Sequence, residues 1–278
     1  AFTEQGTPLG VLDVQCWARD PEQKGKKHKR RQLPIEEKES FKWLRSYRAV
    51  TEVQRLIPQT MLVSVGDREA DLYELFTEAE AQPDGPKVLV RAGRGRKRKL
   101  VSEDGECPEL WEQVSGGPLA GHQEIVVPRR SSQPERIARL EVRFATVQLR
   151  PPPKSKLPSV ALWAVHAVEV GHDDEVTSPL EWLLLTNVAV SSFDEAIERL
   201  RWYTIRWNIE VYHRVLKSGC RIEDRHLGDT HSLKNCLAID MVVAWRVFHL
   251  TKLGRETPDV PCDVILEELE WKALHAAV

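Results

Sequence analysis

Four residues stand in the spacing Y-x2-R-x3-E-x6-K: Tyr203, Arg206, Glu210 and Lys217. On an α-helix advancing about 100° per residue, with Tyr203 at the origin, the other three fall near 300°, 340° and 320°. They share one stripe. The large apolar residues Trp202, Ile205, Ile209, Tyr212 and Leu216 fall in a separate band from about 180° to 260°, the face a core would cover. A phenol, a guanidinium, a carboxylate and an ammonium on one stripe are what gripping an anion around a metal requires. The same stripe also reads as an ordinary Arg206–Glu210 pair one helical turn apart, with Lys217 solvated.

A second carboxylate, Asp67, stands where an apolar run, MLVSVG at 61–66, passes into DREADLYELFTEAEA. A short apolar run feeding a helical pattern predicts a buried strand followed by a helix. Ligands in open α/β sheets collect at the carboxyl ends of such strands. Asp67 also reads as the cap of the helix it precedes. Two carboxylates from distant segments can hold Mg²⁺, which takes oxygen ligands and leaves positions for water and phosphate. Two such ions can serve both the attacking and the leaving oxygen of a phosphodiester displacement, a centre normally completed by a third carboxylate.

The elements that must position these residues follow from pattern. Residues 9–18, LGVLDVQCWA, predict the second arm of a hairpin whose first arm ends in residues 1–3. Residues 19–34 predict a Lys-rich loop, and the apolar spacing that follows predicts a helix over 35–57. KVLVRA at 87–92 predicts another strand, and residues 93–187 break into short β-like runs separated by Pro, Gly and Ser. From Ser192, a plausible cap, the pattern is helical to about 218, and again over 231–252. The expectation is an α/β core interrupted once by a β-rich insertion.

Composition narrows the function classes. The chain has 278 residues, 41% hydrophobic and 29% charged, which is enough apolar material for a sizeable core. Its longest apolar run, at 160–168, is interrupted by His166 and falls well short of the roughly 18 residues that span a bilayer. The opening AFTEQGTPLG has no basic or apolar leader pattern. Five cysteines without a C-x-x-C pair predict a reducing, cytoplasmic setting and argue against a cysteine zinc site. The net charge of −2 hides two basic runs, seven basic residues in 87–99 and six in 23–31, against an acidic stretch from 251 onward. The histidines show no ligand-like grouping.

DREADLYEL at Asp67 and the YREK spacing resemble the bacterial cut-and-paste DDE transposases of the insertion-sequence-four family. Further matches are PLGVL and WAR within 8–19, EKESFKWL at 37–44 and LEWLLLTN at 180–187, so the resemblance covers most of the chain in order. It implies a ribonuclease-H-like mixed sheet with flanking helices, interrupted by a β-rich insertion before the glutamate helix. The implied organisation is 1–95 for the N-terminal part of the core, 96–187 for the insertion, 188–254 for the C-terminal core helices and 255–278 for the start of a C-terminal region. By motif match, Asp67 and Glu210 are the second aspartate and the glutamate of the catalytic set, both ligands of Mg²⁺, with Mn²⁺ as the implied substitute. Tyr203, Arg206 and Lys217 match holders of transposon-end phosphates. Trp182 matches a tryptophan that takes the place of a flipped-out base, and Arg91 an arginine near that nucleotide. Such a surface offsets the stacking a flipped base loses, although Trp182 also reads as an ordinary buried strand residue.

The family's first aspartate lies on a strand upstream of the position matched by Ala1, and Asp13 does not match it. The expectation is therefore a chain truncated at both ends that is inactive alone. The implied partners are transposon-end and target double-stranded DNA and a second copy in a homodimeric synaptic complex, at the nucleoid and with no membrane. Two other readings share these residues: a catalytically dead DNA-binding or inhibitory protein derived from a transposase, and a nuclease of the same fold.

Overall fold

A computed structural model describes residues 1–17, 33–102, 106–127, 135–171 and 178–277. The basic run at 23–31 lies outside the described residues, as do Ala18, Arg19 and His172. The chain divides into two compact units, residues 12–206 and residues 1–11 together with 207–278.

The larger unit is built on one six-stranded sheet. Its strands are β1 (Val63–Gly66), β2 (Lys87–Arg91), β3 (Gly121–Val127), β4 (Arg136–Leu149), β5 (Val160–Val170) and β6 (Glu181–Thr186). They lie in the order β1-β2-β6-β5-β4-β3. Only β1 and β2 are parallel, with Val63 opposite Lys87 and Gly66 opposite Val90, and every other pairing is antiparallel. The fold is thus mixed α/β with flanking helices. The β-rich stretch does not form a sheet of its own, because β6 pairs with β2 and carries β5, β4 and β3 onto the core sheet.

Helices cover both faces, which explains why the central strands read as unbroken apolar runs rather than as an alternation. On one face Val88, Val90, Leu183 and Leu185 pack with Tyr47 of α1 (Phe41–Leu56), Tyr73 and Phe76 of α2 (Tyr73–Glu80), and Leu110 and Val114 of α3 (Leu110–Ser115). On the other face Leu89, Leu184, Val142 and Val165 pack with Ala196, Ile197, Leu200 and Tyr203 of α4 (Phe193–Ile205). Neighbouring residues of β2 and β6 thus serve opposite layers, as the two-residue period of a strand demands. Ser192 caps α4 through the amide of Glu195, while the Glu195 carboxylate returns to the Ser191 amide.

Three expectations change. The helix predicted over 35–57 starts only at Phe41, because Lys38 is extended behind a three-residue 3-10 turn at Ile35–Glu37. The strand predicted over 9–18 is not formed across 9–17. The hairpin is confined to residues 1–10, where a bridge joins Phe2 and Pro8, the Leu9 amide donates to the Ala1 carbonyl and the Ala1 amino group donates to the Gly10 carbonyl, while Leu12, Val14 and Trp17 remain exposed. Alternation alone does not make a strand without a partner to pair with. The long helix over 192–218 is broken. The amides of Arg206 and Glu210 reach back three residues, to Tyr203 and Trp207, and the next segments are α5 (Asn208–Arg214) and a π-helical turn at Val215–Gly219.

The smaller unit contains α5, that turn, α6 (Thr230–Glu256) and α7 (Glu268–Ala277). Tyr212, Ala244 and Phe248 form its core with Phe2 and Trp245 packed against them, and Asp229 caps α6 by accepting from the Ser232 amide. Among the described residues no helix is long and apolar enough to cross a membrane.

Candidate functional site

β1 ends at Gly66, and the next residue turns the chain. Asp67 is extended, and its carboxylate accepts from the Arg68 amide at 2.8 Å, capping a 3-10 turn over Arg68–Ala70. Gly66 is required by that turn, since a Cβ there would lie 2.4 Å from the Ala70 Cβ. Asp67 is therefore both a cap and a strand-end carboxylate.

Three side chains from distant segments meet it. Arg91, the last residue of β2, places a guanidinium nitrogen 3.9 Å from one oxygen, and Arg206, at the end of α4, approaches the other at 3.7 Å. The Tyr203 hydroxyl lies 3.4 Å from Oδ1. Arg91 is held from behind by donating to the Glu181 carbonyl at 2.9 Å. Trp182, the next residue on β6, meets the Tyr203 ring edge to face at 5.4 Å between centroids. The structure thus brings together Asp67, Arg91, Trp182, Tyr203 and Arg206.

Electrostatically, the guanidinium groups of Arg91 and Arg206 both face the Asp67 carboxylate. Asp67 is 39% exposed and the two arginines about half that, so the cluster opens to solvent. Burial raises the Tyr203 pKa first of all, and the negative charge of Asp67 adds to it, with Arg206 and Arg91 opposing. Tyr203 is therefore a neutral phenol, a hydrogen-bond donor at any physiological pH.

Glu210 and Lys217 lie in the smaller unit, where they line an open groove of about 440 Å³ with Trp207, His213, Arg214 and Ser218. Lys217 makes an ion pair with Glu223 at 3.1 Å.

Among the described residues, no group of three or more His, Cys, Asp or Glu side chains is assembled to hold a metal ion. Asp67 nonetheless offers the ligand type that Mg²⁺ takes, an accessible carboxylate to be supplemented by water and substrate phosphate oxygens.

Sequence reasoning missed Asp71 and Glu181. Asp71 is fully buried one 3-10 turn beyond Asp67, and it is ion-paired with Arg98 and, at 3.5 Å, with Arg96. Glu181 joins Arg94 at 2.7 Å and the buried His166 at 3.4 Å. Lys99 pairs with Glu109 at 3.2 Å. Arg94, Arg96, Arg98 and Lys99 of the basic run thus have carboxylate partners, but only Arg98 is largely buried, and Arg94, Arg96 and Lys99 remain exposed. A carboxylate four residues after Asp67, with a cluster of arginines and no nearby acid, was the available signal. No protein-family model matches the chain.

Proposed function

We propose that this chain is the catalytic-core portion of a cut-and-paste DNA transposase of the DDE class, which cleaves phosphodiester bonds at transposon ends and joins the freed ends to target DNA. The observation that carries the reading is the meeting of Asp67 with Arg91, Tyr203 and Arg206, beside Trp182. These residues come from four separate stretches of sequence and were singled out by motif alone.

In this reading Arg91 and Arg206 hold the non-bridging oxygens of a phosphate next to Asp67, each as a charged fork with directional donors. Tyr203 donates a neutral hydrogen bond and keeps the Asp67 carboxylate oriented. Trp182, backed by the Tyr203 ring, offers an aromatic surface to a base taken out of the duplex. Lys217 contributes a further phosphate contact. Asp67 and Glu210 would hold Mg²⁺, or Mn²⁺ in its place, with water and phosphate oxygens; when bound, the ion stabilises charge developing at phosphorus and on the leaving oxygen. The partners are terminal and target duplexes and a second copy of the protein, in the cytoplasm at the nucleoid. The ribonuclease-H-like class of core belongs to the same proposal.

The test is product analysis. The natural protein carrying this sequence is incubated with Mg²⁺, a labelled duplex bearing the terminal repeats that flank its coding sequence, and a target plasmid. Labelled ends covalently joined to the plasmid are expected. Cut ends without joining would replace the reading with a nuclease, and binding without cutting would replace it with a non-catalytic DNA-binding protein.

A further inference from the structure

We propose that Asp71 is a positioning residue, which fastens the end of β2 so that Arg91 faces Asp67; in its functional part the proposal rests on the DNA reading above. Asp67 and Asp71 flank one 3-10 turn, at its N-cap and C-cap. They differ sharply in surroundings, since Asp67 is partly open to solvent and the Asp71 side chain is completely buried. A buried carboxylate is retained at low cost only where its oxygens are satisfied, and those of Asp71 are.

The partners all belong to one loop. The Gly93 amide donates to Asp71 Oδ2 at 2.8 Å, two residues beyond Arg91. Arg98 Nε donates to Oδ1 at 2.6 Å, and Arg98 Nη2 donates to the Asp71 carbonyl at 2.9 Å. Arg98 lies over the rings of Tyr73 and Phe76, which fix its stem against α2. Arg96 adds a weaker pair on the solvent side. The loop also turns tightly here, with Lys97 left-handed at φ 45°.

The consequence is a closed frame. The turn that carries Asp67 carries Asp71 four residues later, and Asp71 grips the chain immediately after Arg91 from both its near side, Gly93, and its far side, Arg98. Arg91 is further held by the Glu181 carbonyl. With the strand end fixed at these points, the guanidinium of Arg91 is presented to Asp67 before any ligand arrives, which lowers the ordering cost of binding. Without the Asp71 grip, the stretch keeps the backbone bonds at its two ends, from the Ala92 amide to the Leu183 carbonyl and from the Leu110 amide to the Arg98 carbonyl, while between them remain a short turn and the exposed pair of Arg94 with Glu181.

Two readouts test this on the whole chain. The first is amide hydrogen exchange at Gly93, in the parent, in Asp71→Asn and in the milder Arg98→Lys. The expected result is exchange accelerated at least tenfold at residues 93–98 by local opening, with a denaturant dependence well below that of β4 and β5. Unchanged exchange at Gly93 in a folded variant overturns the proposal, and so does exchange there with the same denaturant dependence as β4 and β5, which marks global unfolding. The second is the salt dependence of binding to a fluorescent duplex. Loss of one phosphate contact lowers the slope of log K against log salt by about 1. Arg91→Ala and Asp71→Asn are each expected to show that decrease, and the double variant no more than either alone. Additive decreases overturn the functional part. A parent chain that binds no duplex refutes the DNA reading and with it that part, while the Gly93 exchange still decides the frame.

Discussion

The Tyr203 hydroxyl sits 3.4 Å from the Asp67 carboxylate while its ring and that of Trp182 meet edge to face, 5.4 Å between centroids. One side chain thus ties the strand-end carboxylate on β1 to the aromatic surface on β6. Its polar and apolar contributions are separable. Tyr203→Phe removes only the hydrogen bond and is expected to cost about 1 kcal/mol. Tyr203→Ala also empties a buried site in the α4 layer and is expected to cost about 3–5 kcal/mol. Urea unfolding of the two variants checks this, and equal losses would contradict the geometry.

Gly66 sets the approach of the turn that follows β1. The Cβ of Gly66→Ala would collide with the Ala70 Cβ, so a loss of about 1–3 kcal/mol is expected. Ala70→Gly in the same chain removes the obstacle and is expected to recover most of that loss, less its own cost of about 0.5–1 kcal/mol. Thermal unfolding of the single and double variants gives the comparison. A double variant no better than the sum of the singles would show that the clash is not the cause.

His166 supplies a pH dependence. Burial is the main cause of its lowered pKa, opposed by Glu181, with the charges of Arg143 and Arg94 lowering it further. The unfolded chain therefore takes up a proton at higher pH than the folded one. Its contribution is complete above about pH 6.5 and is lost as pH falls from there through the depressed folded value. The melting temperature should drop across that window, and His166→Gln should flatten the drop. An unchanged profile in His166→Gln would place the pH dependence elsewhere.

The buried Asp71–Arg98 pair should be costly to break and cheaper to replace. Asp71→Asn leaves Arg98, 10% exposed, without its counter-charge and is expected to cost about 3–5 kcal/mol. Asp71→Asn combined with Arg98→Met removes the stranded charge and should cost clearly less. Denaturant midpoints at constant slope decide between these outcomes.

Strands buried on both faces were legible in the sequence because KVLVR and EWLLLT are continuous apolar runs, and the junction at Asp67 because a strand pattern gives way abruptly to a helical one. Ser192 was legible as a cap from its own chemistry and the Glu195 that follows. The break after Ile205 was not, because Trp207 and Asn208 are compatible with a helix and the interruption is a change in hydrogen-bond span. Nor was the role of Asp71, whose partners lie more than twenty residues away and become neighbours only when β2 pairs with β1. The basic run at 87–99 showed its charge in the sequence but not the pairing of Arg94, Arg98 and Lys99 with Glu181, Asp71 and Glu109.

The proposed activity is tested most directly by single-strand nicking of an end-labelled terminal-repeat duplex in Mg²⁺, using the natural protein with Asp67→Asn or Glu210→Gln. The account predicts that each substitution abolishes nicking, by at least a hundredfold, while duplex binding stays within a few-fold of the parent. Nicking at the parental rate in either variant would contradict it.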